Sequence, residues 1–265
     1  MQHSISRRAA SVLVTLAAFG ALAATTAASA QAPAADTLAK VKQAGTLVVG
    51  NGGAYPPFEY VADGVLTGFD IDLGNELGKR MGVKVEWKVT EFAGLIASLT
   101  SGRVDALVTA FTKTPERAEK IAFSTSYYQT GIAAAYWETA PVKQPEDLAG
   151  KIVGVQGGTA GEKFVMEKWA DKVKEKRVYA EFPLALRDLE IGRTQVVVNT
   201  LPVLAYNLSR HPNPKIKVSE AWDARDVGIN TRLGDKPLLD EINKQLQAMR
   251  DDGFLAKLNA KWFGS

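Results

Sequence analysis

One pattern occurs twice in this chain, and it limits the fold more than any single motif. Val48-Val49-Gly50-Asn51-Gly52-Gly53 has a counterpart in Ile152-Val153-Gly154-Val155-Gln156-Gly157-Gly158. Leu99-Thr100-Ser101-Gly102-Arg103-Val104-Asp105 has one in Leu189-Glu190-Ile191-Gly192-Arg193-Thr194-Gln195. The first member of each copy is an apolar run entering a Gly-rich loop. The second is a helix end, a Gly-Arg turn and a following apolar strand. Gly-ended helices recur in any α/β protein. The two copies start about a hundred residues apart and keep the same internal order, which favours two similar lobes.

The segments between these landmarks alternate. Leu47-Val48-Val49 reads as a buried strand. Ile71, Leu73, Leu77 and Met81 recur at helical spacing behind Asp70, which is expected to cap the helix. Val83, Val85, Trp87 and Val89 alternate with Lys84, Glu86 and Lys88, a strand signal. Leu95, Ile96 and Leu99 share a helical face that Gly102 ends, and Ala106-Leu107-Val108 is another buried strand. Alternating strands and helices imply a mostly parallel sheet with covering helices. Tyr128 to Tyr136 is read as a crossover into the second lobe, and Val227-Gly228-Ile229-Asn230 as the return. Leu238, Leu239, Ile242, Leu246 and Met249 then form a helix stopped by Gly253. Lys168 to Arg177, with Asp171 and Glu175 among its lysines, reads as a solvated helix face and loop.

The first thirty residues read as a leader rather than as fold. Arg7 and Arg8 precede an uncharged apolar run from Ala9 to Ala24, and Ala28-Ser29-Ala30 supplies a small-residue cleavage site. The run is short for a membrane span, and no cysteine follows it to carry a lipid. The expectation is a soluble periplasmic protein with a cleaved signal peptide at 1–30 and a mobile arm at 31–37. Loss of Arg7 and Arg8 leaves 30 basic against 29 acidic residues, a net +1, so nothing points to nucleic acid or an anionic membrane. The sequence has no cysteine, which excludes thiol catalysis and cysteine-zinc sites. Of its two histidines, His3 lies in the leader and His211 in a His-Pro-Asn-Pro loop, which argues against a histidine triad or metal site. No cofactor is expected.

Tyr55-Pro56-Pro57-Phe58-Glu59, Gly68-Phe69-Asp70-Ile71-Asp72-Leu73 and Thr112-Lys113-Thr114-Pro115-Glu116-Arg117 follow one another along the first half. In that order and spacing they resemble the polar-amino-acid family of periplasmic solute-binding proteins, family 3. The Met-Arg-Asp-Asp-Gly and Lys-Trp-Phe-Gly endings are similar to the family's tail. The resemblance implies a two-lobe periplasmic-binding-protein fold of type II, each lobe a mixed sheet flanked by helices, joined by a two-segment hinge. Lobe 1 would comprise 38–131 with 227–265, and lobe 2 would comprise 132–226. It also implies a monomeric receptor that captures a small carboxylate or amino acid and docks on the membrane permease of an ABC importer.

A zwitterion in a desolvated cleft needs a guanidinium fork for its carboxylate, an acid for its ammonium and apolar walls. Thr114-Pro115-Glu116 is a helix start, so Arg117 falls in an opening turn, where anions are favoured. The resemblance gives Arg117 the carboxylate, with Thr112 as a hydroxyl donor and Ala110 offering only its backbone. In the second lobe it points to Gln156 and Thr159, after a Gly-Gly loop, and to Thr200. Tyr55 and Phe92 match aromatic walls. Phe111 lies between two pocket positions and is expected in the core as much as in the cleft. Phe58 is expected to be structural.

Two acids of the family pattern are missing. Gly52 stands where many members carry an acid in the first loop, and Thr200 stands where the ammonium-binding aspartate belongs. A threonine accepts a hydrogen bond but cannot neutralise an ammonium. Either another acid such as Glu91 or Glu59 reaches in, or the ligand lacks a free α-ammonium, or the alignment shifts by a few residues. Gly52 and Ala93 leave room for a bulkier ligand. Two other readings remain: a cyclohexadienyl-dehydratase-like enzyme, which lacks an evident general acid at these positions, and a ligand-sensing receptor for a signalling partner.

Overall fold

The apolar runs that open the two repeated units become interior strands, second from one edge, of two separate sheets. The computed structural model describes residues 36–264; the expected leader and nearly all of the expected arm lie outside them. After α1 (Thr37–Ala44), the first run forms β1 (Thr46–Asn51). A small antiparallel sheet follows, β2 (Ala54–Tyr55), β3 (Glu59–Ala62) and β4 (Val65–Thr67). Then come α2 (Phe69–Met81), β5 (Lys84–Val89), α3 (Leu95–Thr100), β6 (Ala106–Leu107), α4 (Pro115–Ala118) and β7 (Ile121–Phe123).

The chain leaves this lobe through a long strand, β8 (Tyr128–Trp137). The second copy of the pattern supplies β9 (Ile152–Gln156), α5 (Ala160–Lys168), β10 (Glu175–Tyr179), α6 (Phe182–Glu190) and β11 (Val196–Thr200). After α7 (Leu201–Arg210) and β12 (Ile216–Val218), β13 (Asp223–Val227) returns along β8, pairing Asp223 with Ile132 and Val227 with Tyr128. The last elements, β14 (Asn230–Arg232), α8 (Lys236–Asp251) and α9 (Phe254–Phe263), rejoin the first lobe.

The duplication holds at the level of hydrogen bonding. The main sheets run β5-β1-β6-β14-β7 and β10-β9-β11-β8-β12. In each, the second strand, β1 or β9, is parallel to both neighbours, and the third strand pairs antiparallel with the fourth. The repeated Gly-Arg turns also superpose in kind. Gly102 and Gly192 take φ of 76° and 73°, a left-handed conformation that glycine adopts without steric cost. Their N–H groups donate to Leu99 O and Leu189 O, both at 3.0 Å.

Two expectations change. Asp70 does not cap α2. The cap is Gly68, at φ 134°, where a Cβ would come within 2.1 Å of Phe58 O. Only glycine permits that approach of the hairpin to the helix start. Asp70 falls inside the first turn, fully buried, and accepts hydrogen bonds from Ala110 N–H and, at 2.9 Å, from Tyr127 OH. The Lys168–Arg177 segment is also not all helix face and loop. Glu175–Tyr179 forms a strand at the edge of the second sheet, where one face and one edge stay solvated and charged residues cost little. Asp72 does brace the helix, accepting from Trp262 Nε1 at 2.8 Å and pairing with Lys261 at 2.7 Å. The helix predicted from Leu238 to Met249 is α8, whose Leu238, Ile242, Leu246 and Met249 are fully buried.

Candidate functional site

Arg117 is placed by its own sequence neighbours. The Thr114 hydroxyl accepts from Arg117 N–H at 3.3 Å, and Pro115 occupies the first helical position, where its missing N–H costs nothing. Arg117 is 7% exposed, so the partners of its guanidinium decide its function. Nη1 donates to Thr112 O and Thr112 Oγ1, each at 2.8 Å. Nη2 crosses to the second lobe and donates to Gly158 O at 2.8 Å. Five N–H groups less these three leave Nε–H and one Nη2–H, a pair of donors suited to a carboxylate. Burial holds the Arg117 pKa down to about 10, and the group stays cationic at neutral pH.

The aromatic residues form a row behind it. The guanidinium lies 4.0 Å from the Phe111 ring centroid and 5.8 Å from that of Phe92. Phe111 stacks on Phe92 at 5.1 Å and Phe92 on Tyr55 at 6.3 Å. Phe111 is thus both core and site: it is 2% exposed, yet one face carries the cation. At the far end of the row the Tyr55 hydroxyl donates to Asn199 Oδ1 and lies 3.2 Å from Thr200 Oγ1, both in the second lobe. Burial pushes the Tyr55 phenol well above its ordinary value, so it remains a neutral donor.

The remaining predicted residues divide. Thr159 lies beside Arg117, but its hydroxyl donates to Gln156 O at 2.7 Å and accepts from Glu162 N–H at 3.2 Å, capping α5. What this end offers an anion is the open first turn of α5. The Gln156 side chain donates to Ala180 O at 3.2 Å, while its buried Oε1 has no hydrogen-bond partner. Ala110 sits at φ 49°, and its N–H is taken by Asp70 and by Tyr127 Oη at 3.2 Å. The backbone donor expected there is therefore already used. Phe58 is buried among Phe69, Tyr128 and Phe263, a structural role. Glu91 is exposed.

A cavity of about 400 Å³ brings Phe92, Phe111, Arg117 and Thr159 together. Its rim is charged: Glu116 of the first lobe pairs with Lys163 of the second, and Glu162 with Lys176 at 3.2 Å. A slightly larger groove, about 450 Å³, lies near Tyr128, Tyr206 and Trp262, away from Arg117 and without a charged lining residue.

Several residues of the site escaped the sequence reading. Gly158 contributes a carbonyl, which no side-chain pattern can signal. Thr109 accepts from Gly52 N–H at 3.2 Å and donates to Glu59, which is fully buried beside Asp70. Burial and the neighbouring Asp70 charge push the Glu59 pKa well up; burial also lifts Asp70, to about 7. Their adjacency arises from β3 meeting α2, and the Gly68 approach was its only trace in the sequence.

The sequence profile of the bacterial extracellular solute-binding proteins, family 3, matches residues 47–265. The L-cystine-binding protein TcyJ of Escherichia coli (strain K12) is 36% identical over 233 residues, covering 86% of each chain. An ancestral arginine-binding protein bound to arginine is 36% identical with a TM-score of 0.80, over 83% of this chain and 98% of that one. The ancestral amino acid-binding protein AncCDT-1, a precursor of cyclohexadienyl dehydratase, is 34% identical with a TM-score of 0.80, over 86% and 99%.

Proposed function

The chain belongs to the bacterial extracellular solute-binding proteins of family 3, and from that premise we propose a periplasmic receptor that captures an amino acid or related small carboxylate. Capture takes place between the lobes, 38–131 with 227–265 and 132–226, and the closed form delivers the solute to the membrane permease of an ABC importer. The observation that carries this reading is Arg117, a buried cation at the lobe junction that binds Gly158 O across the cleft and keeps two N–H donors for a ligand. Arg117 takes the carboxylate, with the α5 N-terminus beside Thr159 as second-lobe support. Phe92, Phe111 and Tyr55 supply the walls. A ligand that touches both lobes stabilises closure, and selectivity comes from that difference.

The relatives' ligands, cystine and arginine, support an amino acid of extended shape, and Gly52 supplies room for one. The receptor is a monomer exported by the signal peptide at 1–30. A receptor needs no chemistry, and the binding-protein relatives, AncCDT-1 among them as an amino acid-binding protein, support that reading. The test is thermal stabilisation of the mature chain, unfolded and refolded to strip carried-over solute, against amino acids and their ammonium-free counterparts. A tight ligand raises Tm through mass action. No shift with any carboxylate, or turnover of prephenate or arogenate, would remove the receptor reading.

A further inference from the structure

Charged groups crowd the cavity that Arg117 lines, and each of the others already holds an opposite partner. Two acids, Glu116 and Glu162, and two lysines, Lys163 and Lys176, line that cavity with it. Glu116 pairs with Lys163 across the lobes and with Lys120 at 3.5 Å, and Lys163 also meets Glu167 at 3.5 Å. Glu162 accepts from Lys176 Nζ at 3.2 Å through Oε1 and from Gly158 N–H at 2.8 Å through Oε2. On the connector, Arg225 of β13 lies near enough for its charge to act on Arg117. Its Nε donates to Asp223 Oδ2 at 3.0 Å.

Arg117 differs from all of these. Its three protein partners are uncharged oxygens, Thr112 O, Thr112 Oγ1 and Gly158 O. Around it the charges cancel in sets: Lys120 and Lys163 against Glu116 and Glu167, Lys176 against Glu162, Arg225 against Asp223. One positive charge is left over, on a guanidinium that is almost fully buried. A buried charge is costly until an anion meets it, and one negative charge is enough.

A second charge on the ligand has no such place. Among the described residues, the acids lining this cavity are Glu116 and Glu162, and an ammonium at either competes with a lysine. Glu59 and Asp70 do not line it; both are fully buried and bonded to Thr109, Ala110 and Tyr127. Thr200, where the resemblance puts an acid, brings a neutral hydroxyl. Away from the ions the lining is apolar: Phe92 and Phe111 beside the cation, then Ala93, Ile96 and Met166.

We propose that the preferred solute is a monoanion, a small monocarboxylate with an uncharged, largely apolar body and no free α-ammonium. A 2-hydroxy acid and an N-acyl amino acid share that chemistry. The proposal rests on the receptor reading above and narrows its ligand. Such a solute neutralises Arg117 and leaves every existing ion pair intact. A zwitterion brings the same carboxylate together with an ammonium that must displace or share a lysine's partner, and that difference discriminates between them.

The experiment is calorimetric titration of the mature, refolded chain with ligands grouped by skeleton. L-leucine, L-phenylalanine, L-glutamine and L-arginine are each compared with the N-acetyl and the 2-hydroxy counterpart, which separates an acylated nitrogen from a hydroxyl. Within the skeleton that binds, one ammonium-free form is expected to bind at least about tenfold tighter than the amino acid. Lys176→Gln releases Glu162 from its cation, and is expected to shrink that preference by about tenfold by strengthening the free amino acid. Lys163→Gln releases Glu116, acts in the same direction, and serves should Lys176→Gln fold poorly. A general loss of packing would weaken all three forms alike, whereas the ratio between them reports the charge. A wild-type chain that binds the free amino acid as tightly as its counterparts would overturn the proposal and leave Arg117's role standing. So would an unchanged preference in both lysine variants. Binding of no carboxylate at all would remove the receptor reading and this inference with it.

Discussion

The two lobes share a sheet order, a Gly-Arg turn and an interior strand ending in a Gly-rich loop, yet they bring different chemistry to the cleft. The first lobe supplies side chains: the guanidinium of Arg117 and the row Phe111, Phe92 and Tyr55. The second lobe supplies mainly backbone and caps: Gly158 O, the α5 N-terminus behind Thr159, and the hydroxyl of Thr200 at the start of α7. One scaffold thus carries a lobe that grips and a lobe that closes over the grip.

The sharpest way to break this comparison is to truncate one member on each side. Arg117→Ala is expected to cost about 10²- to 10³-fold in carboxylate affinity, because it removes a desolvated cation. Thr159→Val should leave affinity within about tenfold and instead cost about 1 kcal/mol of stability through the lost α5 cap. Calorimetry and thermal melts on both variants separate the two roles; equal affinity losses would erase the distinction.

The scaffold itself should respond alike in both lobes. Gly102→Ala and Gly192→Ala place a Cβ in left-handed turns where it meets no neighbour within 4 Å. Each is therefore expected to cost roughly 1–2 kcal/mol from backbone conformation alone, and the two to be additive in chemical denaturation. Unequal costs would mean that the repeated turns are not equivalent.

The acid pair makes the first lobe sensitive to pH in a definite direction. Burial lifts Asp70 from 3.8 to about 7, so the folded chain holds a proton that the unfolded chain releases. This stabilisation is full below pH ~4 and lost as pH rises toward 7, and Glu59 acts in the same sense. The ligand-free protein is expected to melt a few degrees lower at pH 8 than at pH 5, and Asp70→Asn to flatten that slope. An unchanged slope in the variant would assign the pH dependence elsewhere.

The smallest effect is expected at the rim. Glu116→Gln breaks the ion pair with Lys163 that joins the lobes. Glu116 is solvent-exposed, so ligand affinity should change less than about threefold at low salt and not at all in high salt.

Much of this was legible because it is local. The repeat follows from apolar runs and helix-ending glycines, and Thr114-Pro115 alone predicts the turn that carries Arg117. What was not legible depends on contacts between distant segments. Asp70 looks like a cap in sequence because an acid precedes an apolar helix; only the approach of Phe58 O to Gly68 shows that the helix is capped two residues earlier. Glu175–Tyr179 hides as a strand because an edge strand tolerates charge. The tail after Gly253 showed only a resemblance, whereas it forms α9, whose Trp262 secures Asp72. The partner of Arg117 in the second lobe is a carbonyl, identical in every residue, so no residue type could have announced it.

The paired strands β8 and β13 have one more consequence. Thr112, whose hydroxyl and carbonyl hold Arg117, is itself bridged to Val227, and Lys113 N–H donates to Asp226 O at 2.8 Å. The loop that aims the guanidinium is therefore fastened to the connector between the lobes. Bending the connector moves the aim of the cation, so the receptor's stroke and its affinity are geared together. Substitutions along Asp223–Val227 are expected to alter binding without touching the ligand.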